Sequence, residues 1–161
     1  MEKPRLSVII PMYNEGENVR STVSAVLAEL EPSGISFEVL CVDDGSVDDT
    51  PGIIQALADG DRRIRAAGHP VNLGRGAALR AGYAAAEGEY IVAIDADLSY
   101  HPRQILELVR RLEAPDSPDI VLASPYMPGG RAEGVAPLRL FISRAANVIL
   151  RQAMGRRYWT L

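Results

Sequence analysis

The sequence contains only one cysteine, Cys41, among its 161 residues. A single thiol excludes an intrachain disulfide framework, and its place inside an apolar run indicates a buried thiol in a reducing compartment. No stretch approaches the roughly 20 apolar residues that a membrane-spanning helix needs. The first apolar run is also too short for a secretory signal peptide. We therefore expect a cytoplasmic protein whose membrane contact, if it has any, is peripheral or made through a partner.

The sequence also has little excess charge and few histidines. Its 17 basic and 21 acidic residues give a net charge of −4. Such a chain does not attract nucleic acid through its overall field, so we expect no nucleic-acid partner. Both histidines, His69 and His101, precede proline and are interpreted as loop residues, His101 being a minor site candidate near Asp97. Internal repeats and low-complexity linkers are absent, and the length suits one domain with a sizeable core.

Short apolar segments alternate with amphipathic segments along the chain. The predicted strands cover residues 6–11, 37–44, 62–68, 89–95 and 119–124. The predicted helices cover about residues 17–30, a segment that begins at 49–51, and about residues 76–87 and 102–112. This alternation predicts an α/β fold, with a mostly parallel sheet and helices on both faces. Ligands of such folds bind beyond the carboxyl ends of the strands.

Two aspartates, Asp95 and Asp97, come directly after the fourth predicted strand. A short D-x-D pair often arises by chance, and it is then only two solvated carboxylates before a helix. Carboxylates this close repel each other unless a cation neutralises them. Oxygen ligands suit Mg²⁺ or Mn²⁺, and Mg²⁺ usually keeps some waters and binds substrate phosphates as well. The pair therefore predicts a metal site that holds a diphosphate.

A second acidic pair, Asp43 and Asp44, stands at the end of the second predicted strand. A turn followed by a helix cap explains Asp49 or Thr50, but it explains Asp43 less well. A carboxylate at this position can accept a hydrogen bond from a nucleobase N–H or a ribose hydroxyl. A calcium loop is excluded, because its closing glutamate would have to stand where Ile54 is.

The segment Gly74-Arg75-Gly76 precedes the third predicted helix. It is a poor dinucleotide fingerprint, because the third glycine would fall at Leu79, and this disfavours an oxidoreductase. A close backbone approach near a helix N-terminus favours phosphate binding, and Arg75 adds a cation. A plain turn from loop to helix fits the segment equally well.

The segment from residue 136 to residue 155 is amphipathic, with an apolar stripe along one side. On another face, polar and basic residues recur every four positions, namely Arg139, Ser143, Asn147 and Arg151. Such a face is usually just solvated. A basic stripe that follows an acidic metal site can instead bind an anionic acceptor.

Five segments taken together resemble, in order, the signatures of family-2 inverting glycosyltransferases of the GT-A fold. They are SVIIPMYNEGENV, VDDGSVDDT, NLGRGAALRAG, IDADLSYHP and SPYMPGG. Within that family the pattern is most similar to the dolichyl- and polyprenyl-phosphate hexose synthases, notably the mannosyltransferases. The resemblance covers nearly the whole chain. It implies one Rossmann-like GT-A catalytic domain over residues 1–161, which transfers a hexose, mannose first, from a nucleotide-diphosphate sugar to a polyprenyl phosphate.

The resemblance also implies roles for individual residues. Asp95 and Asp97 would hold Mg²⁺ or Mn²⁺ and the donor diphosphate, and both would be catalytic together with Arg139. The nucleotide-sugar site would comprise Pro11, Tyr13, Glu15, Asp43, Asp44, Gly74, Arg75, Asp95, Ala96 and Asp97. The acceptor or phosphate site would comprise Arg139, Ser143 and Arg144, and the family's glycine pair would be Gly129 and Gly130.

The chain departs from the pattern of the synthases at three places. Ser99 stands where they commonly carry a metal-binding glutamine, and Pro125 stands where they commonly carry a phosphate-binding arginine. The sequence ends before a D-x-T-S-G-F-R-like segment, so we expect that the C-terminal part of the catalytic domain is missing. These departures leave open a nucleotide-sugar-binding or regulatory module. An aspartyl phosphatase is a further alternative, although its D-x-D motif normally follows the first strand.

Overall fold

The computed structural model describes residues 3–115 and 118–123. The chain divides into two compact units, Met1–Asp119 and Ile120–Leu161. Every helix and strand found in the described ranges belongs to the first unit. No helix within these ranges is long and apolar enough to cross a bilayer.

Four parallel strands form the central sheet of the first unit. They are β1 (Leu6–Met12), β2 (Phe37–Asp44), β3 (Ile64–His69) and β4 (Tyr90–Ala93). Their order across the sheet is β3-β2-β1-β4, and each neighbouring pair is parallel. All four carboxyl ends therefore lie at one edge of the sheet, as the alternation of segments predicted.

Within the described residues, four α-helices connect or follow these strands. They are α1 (Val19–Leu30), α2 (Thr50–Gly60), α3 (Arg75–Ala85) and α4 (Arg103–Leu112). The predicted start of α2 is confirmed, with Asp49 at the N-cap and a proline in the first turn. Proline is tolerated there because the first backbone N–H groups of a helix have no partner within the helix.

The two faces of the sheet are both covered, because alternate residues of β1 point to opposite sides. Val8 and Ile10 pack in one apolar cluster with Val19 of α1 and with residues of α2 and α4. Ile9 packs in a second cluster with Ala78 of α3. Helices on both faces of a parallel sheet are what the sequence predicted, and this prediction is confirmed.

Cys41 lies in β2 and is fully buried, as predicted. Its burial raises the pKa of the thiol to about 12, so the group stays neutral in the core. The thiol therefore contributes packing rather than reactivity.

The amino edge of the sheet contains a buried polar network around Glu38. One oxygen of this carboxylate accepts hydrogen bonds from the Ser7 hydroxyl (2.6 Å) and the Glu87 N–H (2.8 Å), and the other accepts from Arg65 (2.5 Å). Burial raises the pKa of Glu38, but these three hydrogen bonds together outweigh it and hold the pKa below its usual range. The network ties the segment before β4 to β1 and β2, at the edge opposite the predicted site.

The predicted fifth strand is wrong for the residues that can be checked. Residues 119–123 form no strand, and Ser124 lies outside the described residues. Ile120 and Leu122 are exposed, at 76% and 80%. A short apolar run predicts a strand only where a neighbouring strand completes its backbone hydrogen bonds, and no such pairing is present for this segment in the described ranges.

Candidate functional site

A cavity of about 440 Å³ opens at the carboxyl edge of the sheet. Its walls come from the ends of β1 and β2, from the segments after β1, β3 and β4, and from the start of α3. The lining residues are Pro11, Met12, Tyr13, Glu15, Asp44, Asn72, Gly74, Arg75, Ala78, Asp95, Ala96 and Asp97. Nine of the ten residues predicted for a nucleotide sugar thus line one cavity. The exception is Asp43, which is not among the lining residues.

Asp44 supplies a buried carboxylate to this cavity, with an exposed fraction of only 2%. Its Oδ1 accepts a hydrogen bond from the Leu73 N–H (3.1 Å) and lies 3.1 Å from Nδ1 of His69. Because two partners fix the same oxygen, the carboxylate is held in one orientation. A buried charge without such partners would be costly.

Asp43 has a different role in the structure. It is half-buried, and its Oδ1 accepts a hydrogen bond from the Ser46 N–H at 3.2 Å. The side chain therefore closes the turn after β2 and does not line the cavity. Of the two aspartates predicted for base or ribose contact, the structure places Asp44 on the cavity wall.

The sequence predicts that His69 lies in a loop, and this prediction is wrong. It is the last residue of β3 and pairs in register with Asp44 of β2. Proline at position 70 suggested a loop, but proline directly after a strand is compatible with strand geometry at the preceding residue. The contact between His69 and Asp44 depends on strand pairing, so local sequence gave no signal for it.

The loops after β1 and β2 are tied together by reciprocal hydrogen bonds. Asn14 donates its N–H to the Ser46 hydroxyl and accepts from the Val47 N–H, both at 2.9 Å. The Glu15 N–H donates to the hydroxyl of Thr50 at 2.9 Å. This cross-linking fixes Tyr13 and Glu15 at the cavity mouth before any ligand arrives.

The predicted metal ligands lie just beyond β4, and each has its own partner. Asp95 Oδ1 accepts hydrogen bonds from Arg75, at 2.6 Å from Nη2 and 3.2 Å from Nε. Asp97 Oδ1 accepts from the Ser99 N–H at 2.9 Å. Hydrogen bonds from the hydroxyl and the N–H of Ser99 hold the pKa of Asp97 below its usual range, so this carboxylate is ionised at neutral pH.

A hydrogen bond from α1 holds the backbone between the two aspartates in place. The hydroxyl of Thr22, which is fully buried, donates to the carbonyl oxygen of Ala96 at 2.5 Å. Ala96 itself is 4% exposed. The sequence motifs do not point to Thr22, although a threonine on the apolar face of a helix indicates a hydroxyl that needs a hydrogen-bond partner.

The carboxylates of Asp95 and Asp97 suit a divalent ion that keeps part of its water shell. Asp95 and Asp97 both line the cavity, and carboxylate oxygens are the ligands that Mg²⁺ and Mn²⁺ prefer. Within the described ranges, no three His, Cys, Asp or Glu side chains are grouped closely enough to hold a metal by themselves. An ion here would therefore complete its shell with waters and with oxygens of a bound phosphate.

The predicted acceptor side falls on another part of the chain. Arg139, Ser143 and Arg144 lie outside the described residues. The same holds for the family's glycine pair, Gly129 and Gly130. Of the predicted site, the described residues therefore include those predicted for the nucleotide sugar.

Comparison with known proteins agrees with this α/β fold. Residues 7–158 match the family model for Glycosyl transferase family 2, and the chain belongs to this family. Over 149 residues it is 36% identical to the glycosyltransferase AglD of Haloferax volcanii, which covers 91% of this chain and 23% of that protein. The chain spans about half or less of the length of the curated relatives it matches.

Two solved structures confirm the predicted GT-A fold. The mannosyltransferase PcManGT from Pyrobaculum calidifontis, in complex with GDP-Man and Mn²⁺, is 28% identical with a TM-score of 0.60, over 71% of this chain and 34% of that chain. The glucosyl-3-phosphoglycerate synthase from Mycobacterium tuberculosis, in complex with Mn²⁺, UDP and phosphoglyceric acid, is 32% identical with a TM-score of 0.54. That match covers 68% of this chain and 39% of the synthase.

Proposed function

We propose that this chain carries the donor site of an inverting glycosyltransferase. The enzyme would move a hexose from a nucleotide-diphosphate sugar to a polyprenyl or dolichyl phosphate. The observation that carries the proposal is the convergence of Asp44, Arg75, Asp95 and Asp97 on one cavity at the carboxyl edge of the sheet. Family membership supports the same type of reaction.

Different residues of the cavity would contact the nucleoside and the diphosphate of a nucleotide-diphosphate sugar. Asp44, whose orientation is fixed by His69 and Leu73, would accept a hydrogen bond from a base N–H or a ribose hydroxyl. Asp95 and Asp97 would hold Mg²⁺ or Mn²⁺ beside the diphosphate. When bound, the ion would supply positive charge that offsets the charge developing on the departing diphosphate.

The proposed step is a single displacement at the anomeric carbon. A phosphate oxygen of the acceptor forms the new bond to that carbon, while the bond from the carbon to the donor diphosphate breaks, and the configuration inverts. The second pKa of a phosphate monoester is about 6, so the nucleophile is largely ionised near neutral pH and needs no strong base. Arg139, Ser143 and Arg144 are our proposed contacts for the acceptor phosphate.

GDP-mannose is the donor we propose first, and UDP-glucose second. The similar mannosyltransferase, solved with GDP-Man and Mn²⁺, supports the first choice. The similar glucosyl-3-phosphoglycerate synthase, solved with UDP and Mn²⁺, supports the second. A polyprenyl-phosphate acceptor would bring the protein to a membrane surface, by peripheral contact or through a membrane partner.

A nucleotide-sugar-binding module without turnover is the second candidate. Ser99 favours it, because this residue contacts Asp97 where the synthases commonly have a metal-binding glutamine. Pro125, in place of the expected arginine, favours it as well. In this case the cavity would bind the donor and the chain would serve as a regulatory partner of a complete enzyme.

A transfer assay with labelled donors separates the two candidates. The full chain is incubated with Mn²⁺, a short polyprenyl phosphate, and either GDP-mannose or UDP-glucose, and lipid-linked sugar is extracted and counted. Asp97→Asn tests the site, and Asp59→Asn, an exposed residue of α2, is the matched control. Product that depends on Asp97 but not on Asp59 supports the transferase. Donor binding without product supports the binding module, and absence of both contradicts the donor site.

A further inference from the structure

We propose that Arg75 couples metal binding at Asp95 to the arrival of the donor diphosphate. In the structure the Arg75 guanidinium is hydrogen-bonded to the Asp95 carboxylate. When a diphosphate enters the cavity, the guanidinium moves to the phosphate oxygens and releases Asp95 for the metal. The inference rests on the proposed function, because it assumes a nucleoside diphosphate in this cavity.

The geometry of the pair provides the starting point. Arg75 is the first residue of α3, and both its Nη2 and its Nε donate to the same oxygen, Oδ1 of Asp95. Both residues line the cavity, so the contact lies where the diphosphate would bind. A carboxylate oxygen that already accepts two hydrogen bonds is a poor ligand for an incoming cation.

Solvent exposure makes this contact exchangeable. The side chain of Arg75 is 62% exposed and that of Asp95 is 39% exposed. Solvent-exposed ion pairs of this kind contribute little to stability, and each side chain can easily exchange its partner for another. The pair can therefore dissociate without a change in the fold.

Electrostatic repulsion and attraction determine when the metal ion can replace Arg75 as the partner of Asp95. A bare divalent ion at Asp95 would face the positive guanidinium only a few ångströms away, and like charges repel. A diphosphate removes this conflict, because its oxygens can accept two parallel hydrogen bonds from the arginine fork and can also bind the metal. Donor and metal therefore favour each other's binding, and this coupling is reciprocal by thermodynamic linkage.

The second aspartate of the pair has no such restraint in the described contacts. The Asp97 carboxylate is oriented by the N–H of Ser99, a neutral donor, rather than by a cation. One metal ligand is thus arranged in advance, and the other depends on where Arg75 points. This asymmetry is the reason that Arg75, rather than the pair itself, would set the order of binding.

The test measures Mn²⁺ and nucleotide affinities of the full chain in one thermodynamic cycle. Binding of MnCl₂ alone is followed by the electron paramagnetic resonance signal of the free ion. Binding of UDP and of GDP is measured by calorimetry, first without Mn²⁺ and then with saturating Mn²⁺. The variants are Arg75→Gln, which removes the charge, Arg75→Lys, which keeps it, and Arg80→Gln, an exposed arginine of the same helix.

We expect Arg75→Gln to bind Mn²⁺ alone about threefold to tenfold more tightly than the wild type. The factor by which Mn²⁺ improves nucleotide affinity should fall by a similar amount, because the phosphate contact and the competition are lost together. Arg75→Lys should keep most of that factor, and Arg80→Gln should match the wild type.

Two results would contradict the inference, and they differ from each other. Nucleotide binding that responds to Mn²⁺ equally in the wild type, Arg75→Gln and Arg80→Gln would overturn the coupling and leave the proposed function standing. A wild-type chain that binds neither UDP nor GDP in the presence of Mn²⁺ would overturn the proposed function, and the coupling with it.

Discussion

The hydroxyl of Thr22 in α1 donates a hydrogen bond to the carbonyl oxygen of Ala96, the residue between Asp95 and Asp97. The two partners are 74 positions apart in the sequence, and the contact is buried. It connects the covering layer of helices directly to the segment that would hold the metal. The position of the acidic pair is therefore set by a helix that contributes no ligand itself.

Loss of this hydrogen bond should weaken metal-dependent nucleotide binding. Thr22→Val keeps the shape of the side chain but leaves the Ala96 carbonyl without its partner. We expect about tenfold weaker binding of UDP or GDP in the presence of Mn²⁺, the usual loss when a supporting contact of a metal site is removed. Thr22→Ser restores the hydroxyl and should recover most of the affinity by calorimetry. Equal affinities for the valine and serine variants would mean that Thr22 serves only the packing of α1.

Nucleotide affinity should depend on Asp44 and much less on Asp43. Asp44→Asn removes a charged acceptor at the cavity wall, and we expect at least about tenfold weaker binding of UDP or GDP. Asp43→Asn disturbs only the turn at Ser46, so it should lower the melting temperature slightly and leave nucleotide affinity within about a factor of two. Calorimetry on both variants gives the comparison. A larger loss for Asp43→Asn than for Asp44→Asn would reverse our assignment.

Close packing between α3 and β1 makes Gly82 sensitive to substitution. A Cβ added at Gly82 would lie 2.5 Å from Cγ2 of Ile9, in the buried second cluster. We expect Gly82→Ala to cost about 1–3 kcal/mol of unfolding free energy. The matched control is Gly52→Ala in α2, where a Cβ meets nothing within 4 Å, and it should stabilise the protein by about 0.5–1 kcal/mol. Urea denaturation measures both changes in unfolding free energy. If both variants were stabilised, α3 would not pack as closely against β1 at Gly82 as described.

The Glu38 network should make stability depend on pH in the acid range. Because the folded-state pKa of Glu38 is lowered, the unfolded chain binds more protons than the folded chain between that pKa and the usual value. The stability that the carboxylate contributes is therefore present above the usual pKa of 4.5 and is lost as the pH falls through the folded-state pKa. Glu38→Gln should cost about 1–3 kcal/mol at pH 7 and flatten the stability curve below about pH 5. If the unfolding free energies of the variant and the wild type fell in parallel with decreasing pH, Glu38 would not be the origin of the acid dependence.

The sequence predicted the order of elements well because their signals are local. The start of α2 follows from Asp49 and Pro51, and the D-x-D pair could be placed at a strand end because β4 is so apolar. The convergence of Asp44, Arg75 and Asp95 could also be predicted, since parallel strands bring their carboxyl ends to one edge.

Contacts that depend on tertiary packing could not be predicted in this way. The support that His69 gives Asp44 arises from the register of β2 with β3, and the anchor at Thr22 arises from how α1 lies on the sheet. The segment 119–123 shows the opposite error, because its apolar residues gave a local strand signal that no pairing in the described ranges completes. Local pattern therefore locates the site, and packing determines which of its neighbours position it.

The proposed function depends on Asp95 and Asp97 holding a divalent ion beside a diphosphate. The most direct test is calorimetric titration of the wild type and Asp97→Ala with GDP and with UDP, with and without Mn²⁺. We predict that Mn²⁺ strengthens binding of at least one nucleotide to the wild type, and that Asp97→Ala loses this dependence on Mn²⁺. Unchanged Mn²⁺-dependent binding by Asp97→Ala would contradict this role of the two aspartates.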